Sequence, residues 1–357
     1  MKIIHCADLH LDSKMETNLS PVKAKERKKE ILNTFERMVA YAQANGVAAI
    51  IIAGDMFDTA RITNLTKTRI LNTITKNKNL DFLYLSGNHD ESNFINLIED
   101  VPANLKIFGR NWTTFAYDNV KITGVVLDES NGAALYDTLN LNPQDINIVV
   151  LHGPVSQYHA KDQTAVIHLP KLKNRHIDYL ALGHIHTYAE EILDQRGRYC
   201  YAGCLEGRGF DECGEKGFVL LNIDHGSVKS QFISFAKRQL MELEFDITPY
   251  DDWFAIEEEI LQRVQPIGKE NLLKITLTGK YKIQLDKHMA MLEQKLEPFY
   301  LAKIQDESVL AVTDADVAND VSLRGEFIRR VLNSKLTDAE KEQTILVGLR
   351  ALAGEDW

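Results

Sequence analysis

Five apolar stretches of this chain each end directly in a short polar motif, and this arrangement limits the fold more than any other feature of the sequence. Residues 47–53 are apolar at every position, which is typical of a parallel strand covered on both faces. A helical pattern lies before it, beginning at Ser20 and Pro21 and ending at Gly46. Residues 2–7 predict a first strand, so the first 53 residues predict a β-α-β unit.

The same alternation continues along the first two thirds of the chain. Helix-forming sequence at residues 65–74 is followed by strand-like stretches at 82–85, 146–151 and 177–182. Residues 198–228 are richer in glycine and short β-like stretches, which predicts a closing hairpin. We therefore expect an α/β fold with a mainly parallel, helix-flanked sheet.

The sequence also predicts three parts. Residues 1–235 form the α/β part. Strand-like and helix-like segments alternate in residues 236–311, which predicts a small, acidic α+β domain. Residues 312–357 contain two amphipathic helical patterns, the second beginning with a capping box of Thr337 and Glu340. We expect this helical tail to dock either onto the same chain or onto a partner.

Composition restricts the class of protein. The formal net charge of -10 does not indicate the broad basic surface of a strong nucleic-acid-binding domain. No apolar stretch approaches the length of a membrane span, and the first motif follows Met1 so closely that we expect no secretion signal. Because Cys200, Cys204 and Cys213 lack a C-x-x-C pair, we interpret them as reduced thiols of a cytoplasmic protein, with zinc binding as the alternative.

The motifs hold the residues that can carry chemistry. They are Asp8-Leu9-His10, Gly54-Asp55, Gly87-Asn88-His89-Asp90, His152-Gly153 and Gly183-His184-Ile185-His186. Because the carboxyl ends of parallel strands meet at one edge of an open sheet, we expect the five motifs to converge. Carboxylate, amide and imidazole donors without a thiolate suit divalent Mn, Fe or Zn. Each motif alone is common, but the ordered set of five predicts a metal site.

In type and order, the five motifs resemble those of the calcineurin-like metallophosphoesterase family. The resemblance implies a β-sandwich flanked by helices and a hydrolytic site with two metal ions. It assigns one ion to Asp8, His10, Asp55 and His186. It assigns the other to Asp55, Asn88, His152 and His184, so that Asp55 bridges the two. It also implies that His89 acts as the general acid that protonates the leaving oxygen.

Three further aspartates lie near these motifs in the sequence: Asp12, Asp58 and Asp90. They are candidates to orient the imidazole ligands from outside the metal site. Each could equally cap a turn or a helix N-terminus.

The flanking sequence favours one substrate class. Residues 5–12, 53–58 and 201–218 resemble the SbcD-type DNA repair exonucleases of bacteria. That resemblance implies a manganese-dependent DNA exonuclease and endonuclease, with residues 236–311 as its capping domain. It also implies a homodimer and an SMC-like coiled-coil ATPase partner bound through the C-terminal helices. The alternatives are a phosphatase or phosphodiesterase that acts on nucleotides or proteins, and a DNA-end-binding scaffold whose catalysis is incidental.

Overall fold

The computed structural model describes residues 1–15, 19–58, 62–88, 90, 98, 100–128, 132–155, 165–282, 285–312, 317 and 320–353. The chain divides into two compact units, Met1–Gln239 and Leu240–Trp357. The division into three domains at the predicted boundaries stays a prediction. Within the described ranges, no helix is both long enough and apolar enough to cross a membrane.

Two six-stranded β-sheets form the centre of the first unit. The first sheet contains β1 (Lys2–Cys6), β2 (Ala49–Ala53), β3 (Asp81–Leu85), β4 (Leu105–Ile107), β11 (Gly217–Asp224) and β12 (Ser227–Ser234). The second contains β5 (Thr113–Tyr117), β6 (Val120–Gly124), β7 (Ile146–His152), β8 (Tyr179–Gly183), β9 (Ala189–Ile192) and β10 (Arg198–Tyr201). Their orders are β12-β11-β1-β2-β3-β4 and β5-β6-β7-β8-β10-β9.

Both sheets are mainly parallel, and the first is antiparallel at one edge whereas the second is antiparallel at both. In the first sheet β1, β2, β3 and β4 are parallel neighbours, and the β11–β12 hairpin pairs antiparallel to β1. In the second sheet β6, β7, β8 and β10 are parallel, with β5 and β9 antiparallel at the edges. The predicted α/β class, with a helix-flanked sandwich, is confirmed.

Helices cover the outer faces of the sheets. They are α1 (Pro21–Ala44), α2 (Asn64–Lys76), α3 (Gly132–Asp137) and α4 (Leu169–Leu172). The side chain of Ser20 accepts a hydrogen bond from the backbone N–H of Lys23, so α1 begins at the predicted cap. Thr63 caps α2 in the same way through the N–H of Thr66.

The uniform apolar character of β2 is explained by packing on both of its faces. Successive side chains of a strand point to opposite sides of the sheet. Ile50 packs with Phe35 of α1 in the cluster between sheet and helices, whereas Ile51 packs with Ile148 of β7 in the cluster between the two sheets. Each fully buried Ile contributes about 1.5–3 kcal/mol, so a polar residue on either face of this strand would be costly.

The second unit has its own sheet and core. Strands β13 (Leu240–Asp246), β14 (Leu272–Thr278) and β16 (Leu301–Asp306) are parallel, and β15 (Lys280–Lys282) pairs with β17 (Val309–Ala311). Its helices are α5 (Trp253–Val264), α6 (Met289–Leu296), α7 (Leu323–Leu332) and α8 (Asp338–Ala353). The capping box is confirmed, since the N–H of Thr337 donates to the Glu340 carboxylate at 2.8 Å.

A buried ion cluster joins α1 to the segment after β12. The Glu30 carboxylate, whose residue is 3% exposed, accepts from Arg27 at 2.7 Å, Lys237 at 2.6 Å and Arg238 at 2.8 Å. Burial alone would raise the pKa of Glu30, but the bonds from Arg238, Lys237 and Arg27 lower it to about 2. The stabilisation is therefore fully present above the ordinary glutamate pKa of 4.5 and is lost as the pH falls through about 2.

Replacement of Glu30 by glutamine should lower the free energy of unfolding by about 3–5 kcal/mol, because the buried cations lose their shared counter-charge. Urea unfolding at pH 7 measures this loss. The matched control is Asp137→Asn, which removes an exposed carboxylate 3.6 Å from Lys171. That change should cost less than about 1 kcal/mol. Equal, small losses in both variants would show that the cluster contributes no net stability.

Candidate metal centre

The motif residues lie at the carboxyl ends of five parallel strands. Asp8, Asp55 and Asn88 follow β1, β2 and β3 of the first sheet, whereas His152 ends β7 and His184 follows β8 of the second. The two sheets pack face to face, so these ends lie at the same edge of the unit. The site is therefore assembled from both halves of the sandwich.

One group of donor atoms contains Asp8, His10 and His186. Their ligand atoms all lie within 4.8 Å of one another. The two Nε2 atoms of His10 and His186 are 3.0 Å apart. Asp8 and His10 are almost completely buried, at 1% exposure each. These atoms enclose a position that could hold one metal ion.

A second group of donor atoms surrounds Asn88. Its Oδ1 lies 2.9 Å from His152 Nε2 and 3.4 Å from His184 Nδ1. Asp55 lies between the two groups, because its Oδ2 is 3.4 Å from His152 Nε2 and 4.0 Å from His10 Nε2. The structure thus brings together all seven residues that the family resemblance assigned to metal binding, with Asp55 at the junction.

The hydrogen bonds around the imidazoles show whether a cation fits. Three rings have Nδ1 next to an oxygen acceptor: His10 at 3.1 Å from Asp58, His186 at 2.7 Å from Glu212, and His152 at 2.9 Å from the Ala53 carbonyl. A carboxylate or carbonyl only accepts, so the Nδ1 atoms of His186 and His152 donate. The negative charge of Asp58 likewise favours the proton of His10 on Nδ1, and each ring keeps its lone pair on Nε2 when it is neutral. Two such lone pairs facing each other at 3.0 Å are stabilised by a cation between them. The residues present therefore fit a metal ion.

The electrostatics of the site also favour positive charge. Burial lowers the pKa of His152, but the carboxylates of Asp55 and Asp8 outweigh that effect and raise it to about 9. The negative charge of the two buried aspartates is thus large enough to attract a proton at neutral pH. Metal ligands must be deprotonated, so a metal ion that binds here has to displace that proton.

The backbone of the ligand residues is strained. Positive φ angles occur at Asp8 (51°), His10 (43°), Asp55 (50°) and His184 (100°). Such conformations cost residues other than glycine about 1–3 kcal/mol each and persist only where surrounding contacts enforce them. The contacts here include His10 N–H to the Asp55 carbonyl at 3.0 Å and His184 N–H to the Asp8 carboxylate at 2.9 Å. The turns that present the ligands therefore hold one another in place.

Gly54 lets two of these elements approach closely. Its φ is +91°, and a Cβ on it would lie 2.0 Å from Nδ1 of His152. Replacement by alanine should displace that ring from the Ala53 carbonyl and weaken Mn²⁺ binding by about 10–100-fold. Calorimetric titration with Mn²⁺ measures the effect.

The control for this prediction is Gly46→Ala. Gly46 has a φ of +65°, and a Cβ there would meet nothing within 4 Å. The control variant should lose about 1–2 kcal/mol of stability through backbone strain, with unchanged affinity for Mn²⁺. Unchanged affinity in the Gly54 variant as well would contradict the close packing described here.

The three aspartates suggested as supports for the ligands make three different sets of contacts. Asp58 contacts the ring of His10. Asp90 accepts from the backbone N–H groups of Met56, Phe57 and Gly87 at 2.9–3.1 Å, which joins the turns after β2 and β3. Asp12 accepts from Thr63 N–H at 2.6 Å and Thr66 Oγ1 at 2.8 Å, at the start of α2. Only Asp58 contacts an imidazole ligand.

Two residues of the site were missed by the sequence analysis. Glu212 contacts His186, and Arg208 donates to both Glu212 and Asp58. They lie within residues 201–218, a segment that was singled out only because it resembles the SbcD-type exonucleases. The proposed acid, His89, lies outside the described residues.

The alternative of a cysteine zinc site gains no support. Among the described residues, the groups that could hold a metal are Asp8, His10 and His186, and Asp8, Asp55 and His152. Neither group contains a cysteine. Cys200 and Cys204 are free thiols buried in the first unit.

The chain is similar to several known proteins. A family model for calcineurin-like phosphoesterases matches residues 1–188. The chain is 21% identical to the DNA double-strand break repair protein Mre11 of Sulfolobus acidocaldarius, over 89% of this chain and 85% of that protein. It is 23% identical to a subunit of the nuclease SbcCD of Escherichia coli K12, over 99% of both chains. A solved dimetal phosphatase from Danio rerio is 12% identical, with a TM-score of 0.44 over 66% of this chain and 99% of that one.

Proposed function

The chain belongs to the calcineurin-like phosphoesterase family and is a metal-dependent phosphoester hydrolase, and from this we propose that it is a two-metal DNA nuclease. The observation that carries the proposal is the position of Asp55 between two groups of donor atoms. Its Oδ2 lies 4.0 Å from His10 Nε2 and 3.4 Å from His152 Nε2. A carboxylate in this position can serve two ions at once.

The proposed ligand sets follow the two groups. Asp8, His10, Asp55 and His186 would hold one ion. Asp55, Asn88, His152 and His184 would hold the other. We propose Mn²⁺ as the ion, because oxygen and imidazole donors without a thiolate suit it.

When bound, two divalent ions supply Lewis-acid activation of a water molecule and neutralise charge on the phosphate. The residues of the chain supply the arrangement. The Asp58 and Glu212 carboxylates keep the protons of His10 and His186 on Nδ1, so that both Nε2 atoms remain available. His89 follows the ligand Asn88 directly in sequence, and we propose that it donates a proton to the leaving oxygen.

DNA is the proposed substrate because of what the relatives are named for. One is a DNA double-strand break repair protein and another is part of a nuclease with more than one kind of subunit. The word subunit in the name of the nuclease also supports assembly with a partner, which we propose is an SMC-like coiled-coil ATPase. We also propose that the chain forms a homodimer. The net charge of -10 supports a need for such a partner, since phosphate contacts require basic surface.

A substrate panel tests the proposed function. Purified protein with Mn²⁺ is incubated with labelled single-stranded DNA, labelled double-stranded DNA, a chromogenic phosphodiester and a phosphomonoester, each with and without chelator. We expect metal-dependent cleavage of DNA and of the diester. Intact DNA beside rapid turnover of the monoester would indicate a phosphatase. DNA ends that are bound but never cut, with the diester and the monoester also intact, would indicate a scaffold.

Removal of residues 313–357 should abolish binding of the ATPase partner and leave hydrolysis of a small phosphodiester unchanged. The motif residues all lie in the first unit, whereas α7 and α8 pack in the second unit, where Ile328 and Ile345 share a small core with Leu310 of β17. Exposed apolar side chains on these helices, Leu323 and Leu352, could contact a partner. Co-purification with the co-expressed SMC-like ATPase measures binding. A milder variant is Leu352→Glu, which should weaken the same binding without removing the helices. A truncated chain that still binds the ATPase would place the interface elsewhere.

A further inference from the structure

Arg208 lies between the two carboxylates that contact the histidines of one metal position. Its Nη1 donates to Asp58 Oδ1 at 2.8 Å, and its Nη2 donates to Glu212 Oε1 at 2.7 Å. The same Asp58 oxygen lies 3.1 Å from His10 Nδ1, and the same Glu212 oxygen lies 2.7 Å from His186 Nδ1. One guanidinium therefore connects both carboxylate–imidazole pairs. Arg208 and Glu212 lie beyond residues 1–188, which the family model matches.

We propose that Arg208 is a positioning residue of the metal centre: by bridging Asp58 and Glu212, it fixes the two imidazoles whose Nε2 atoms face the first metal position. The inference rests on the proposed two-metal function. Arg208 need not contact the metal or the substrate, because it acts through the two carboxylates.

The chemistry of arginine suits this position. Its guanidinium is planar and presents donors in a rigid fork, whereas a lysine ammonium is a compact point charge on a flexible stem. Without a cation, the carboxylates of Asp58 and Glu212 would repel each other.

The backbone that carries Arg208 is fixed by contacts in the interior. The guanidinium of Arg27, a residue with no exposed surface, donates to the Gly207 carbonyl at 2.7 Å. The Glu206 carboxylate accepts from Thr34 Oγ1 at 2.7 Å and from the Lys237 N–H at 2.6 Å. The two residues before Arg208 are thus held against α1 and the segment after β12. This anchorage restricts where the guanidinium can lie.

A buried lysine holds the same histidine from its backbone side. Lys216 is 1% exposed, and its Nζ donates to the His186 carbonyl at 2.8 Å. His186 is therefore held at its ring by Glu212 and at its backbone by Lys216. The ring contact is the one that depends on Arg208.

The second metal position serves as an internal control for the loss of Arg208. The ring of His152 is oriented by the Ala53 carbonyl at 2.9 Å, a contact that involves neither Asp58 nor Glu212. Loss of Arg208 should therefore weaken the ion held by His10 and His186 and leave the ion held by His152 unchanged. A general loss of structure would weaken both.

Arg208→Met tests the proposal, with Mn²⁺ alone as the probe. Calorimetric titration of the metal-free protein should show two ions per chain for the wild type. In the variant one ion should bind about 10–100-fold more weakly, while the other keeps its affinity. The matched control is Arg196→Met, which breaks a similar forked contact with Asp178 at 2.9–3.0 Å. The control should bind both ions as the wild type does.

A second variant keeps the test decisive if the methionine variant does not fold. Arg208→Lys keeps the charge but cannot reach both carboxylates with a rigid fork, so it should shift the same ion in the same direction by a smaller factor. Wild-type affinity for both ions in a folded Arg208 variant would overturn the proposal. Wild-type protein that binds no Mn²⁺ would instead contradict the proposed two-metal function itself.

Discussion

Asparagine in place of Asp55 should remove nearly all phosphodiester hydrolysis and weaken the binding of both metal ions. The asparagine keeps the size of the side chain, but it carries no negative charge and only one oxygen. Since Asp55 Oδ2 lies within 4.0 Å of donors from both groups, the change should affect both metal positions. In the proposed site, two bound ions would stabilise the transition state by several kcal/mol, so we expect kcat/KM to fall by at least about 10³-fold.

The measurement for Asp55→Asn combines diester hydrolysis with Mn²⁺ titration. The control is Asp118→Asn, because Asp118 also has a positive φ, 51°, but is exposed in the turn between β5 and β6. Both variants change an aspartate in the left-handed region, which asparagine tolerates. The control should keep full activity. An Asp55 variant that retains two tightly bound ions would remove the bridging role.

Asparagine in place of His89 should also abolish most turnover, but, unlike the Asp55 change, it should leave metal binding intact. General acid catalysis contributes about 10²–10⁴-fold, so kcat should fall by a factor in that range. The loss should be larger for DNA than for a chromogenic diester, because the alkoxide leaving group of DNA needs a proton more than a nitrophenolate does.

The control for His89 is His225→Asn in the exposed turn between β11 and β12. His225 has a φ of 46°, which asparagine also accepts, and its side chain is 94% exposed. It should behave as the wild type with both substrates. If the His89 variant hydrolyses DNA at the wild-type rate, the proposed acid role is wrong.

The strands that present the ligands could be predicted from sequence because their signal is local. Residues 47–53 are apolar without alternation, and the structure packs Ile50 and Ile51 on opposite faces of β2. The cap at Ser20 marks the start of α1 in the same local way. The edge strands β5 and β9 carry a weaker signal, since they are short and their side chains are partly exposed. They are therefore absent from the predicted elements.

The residues that surround the ligands could not be predicted, because their roles depend on contacts between distant parts of the chain. Asp12, Asp58 and Asp90 are the same residue type near similar motifs, yet only Asp58 contacts an imidazole. Glu212 lies 26 positions after His186, in a glycine-rich segment that sequence analysis described only as part of a closing hairpin. Only the folded chain places that carboxylate next to the ring.

The most direct test of the two-metal centre is a crystal structure of the protein with Mn²⁺, using anomalous scattering to locate the ions. We predict two anomalous peaks about 3.5–4 Å apart, on either side of the Asp55 carboxylate. One should lie among Asp8, His10 and His186, and the other among Asn88, His152 and His184. A single peak, or peaks away from these residues, would contradict the two-metal assignment.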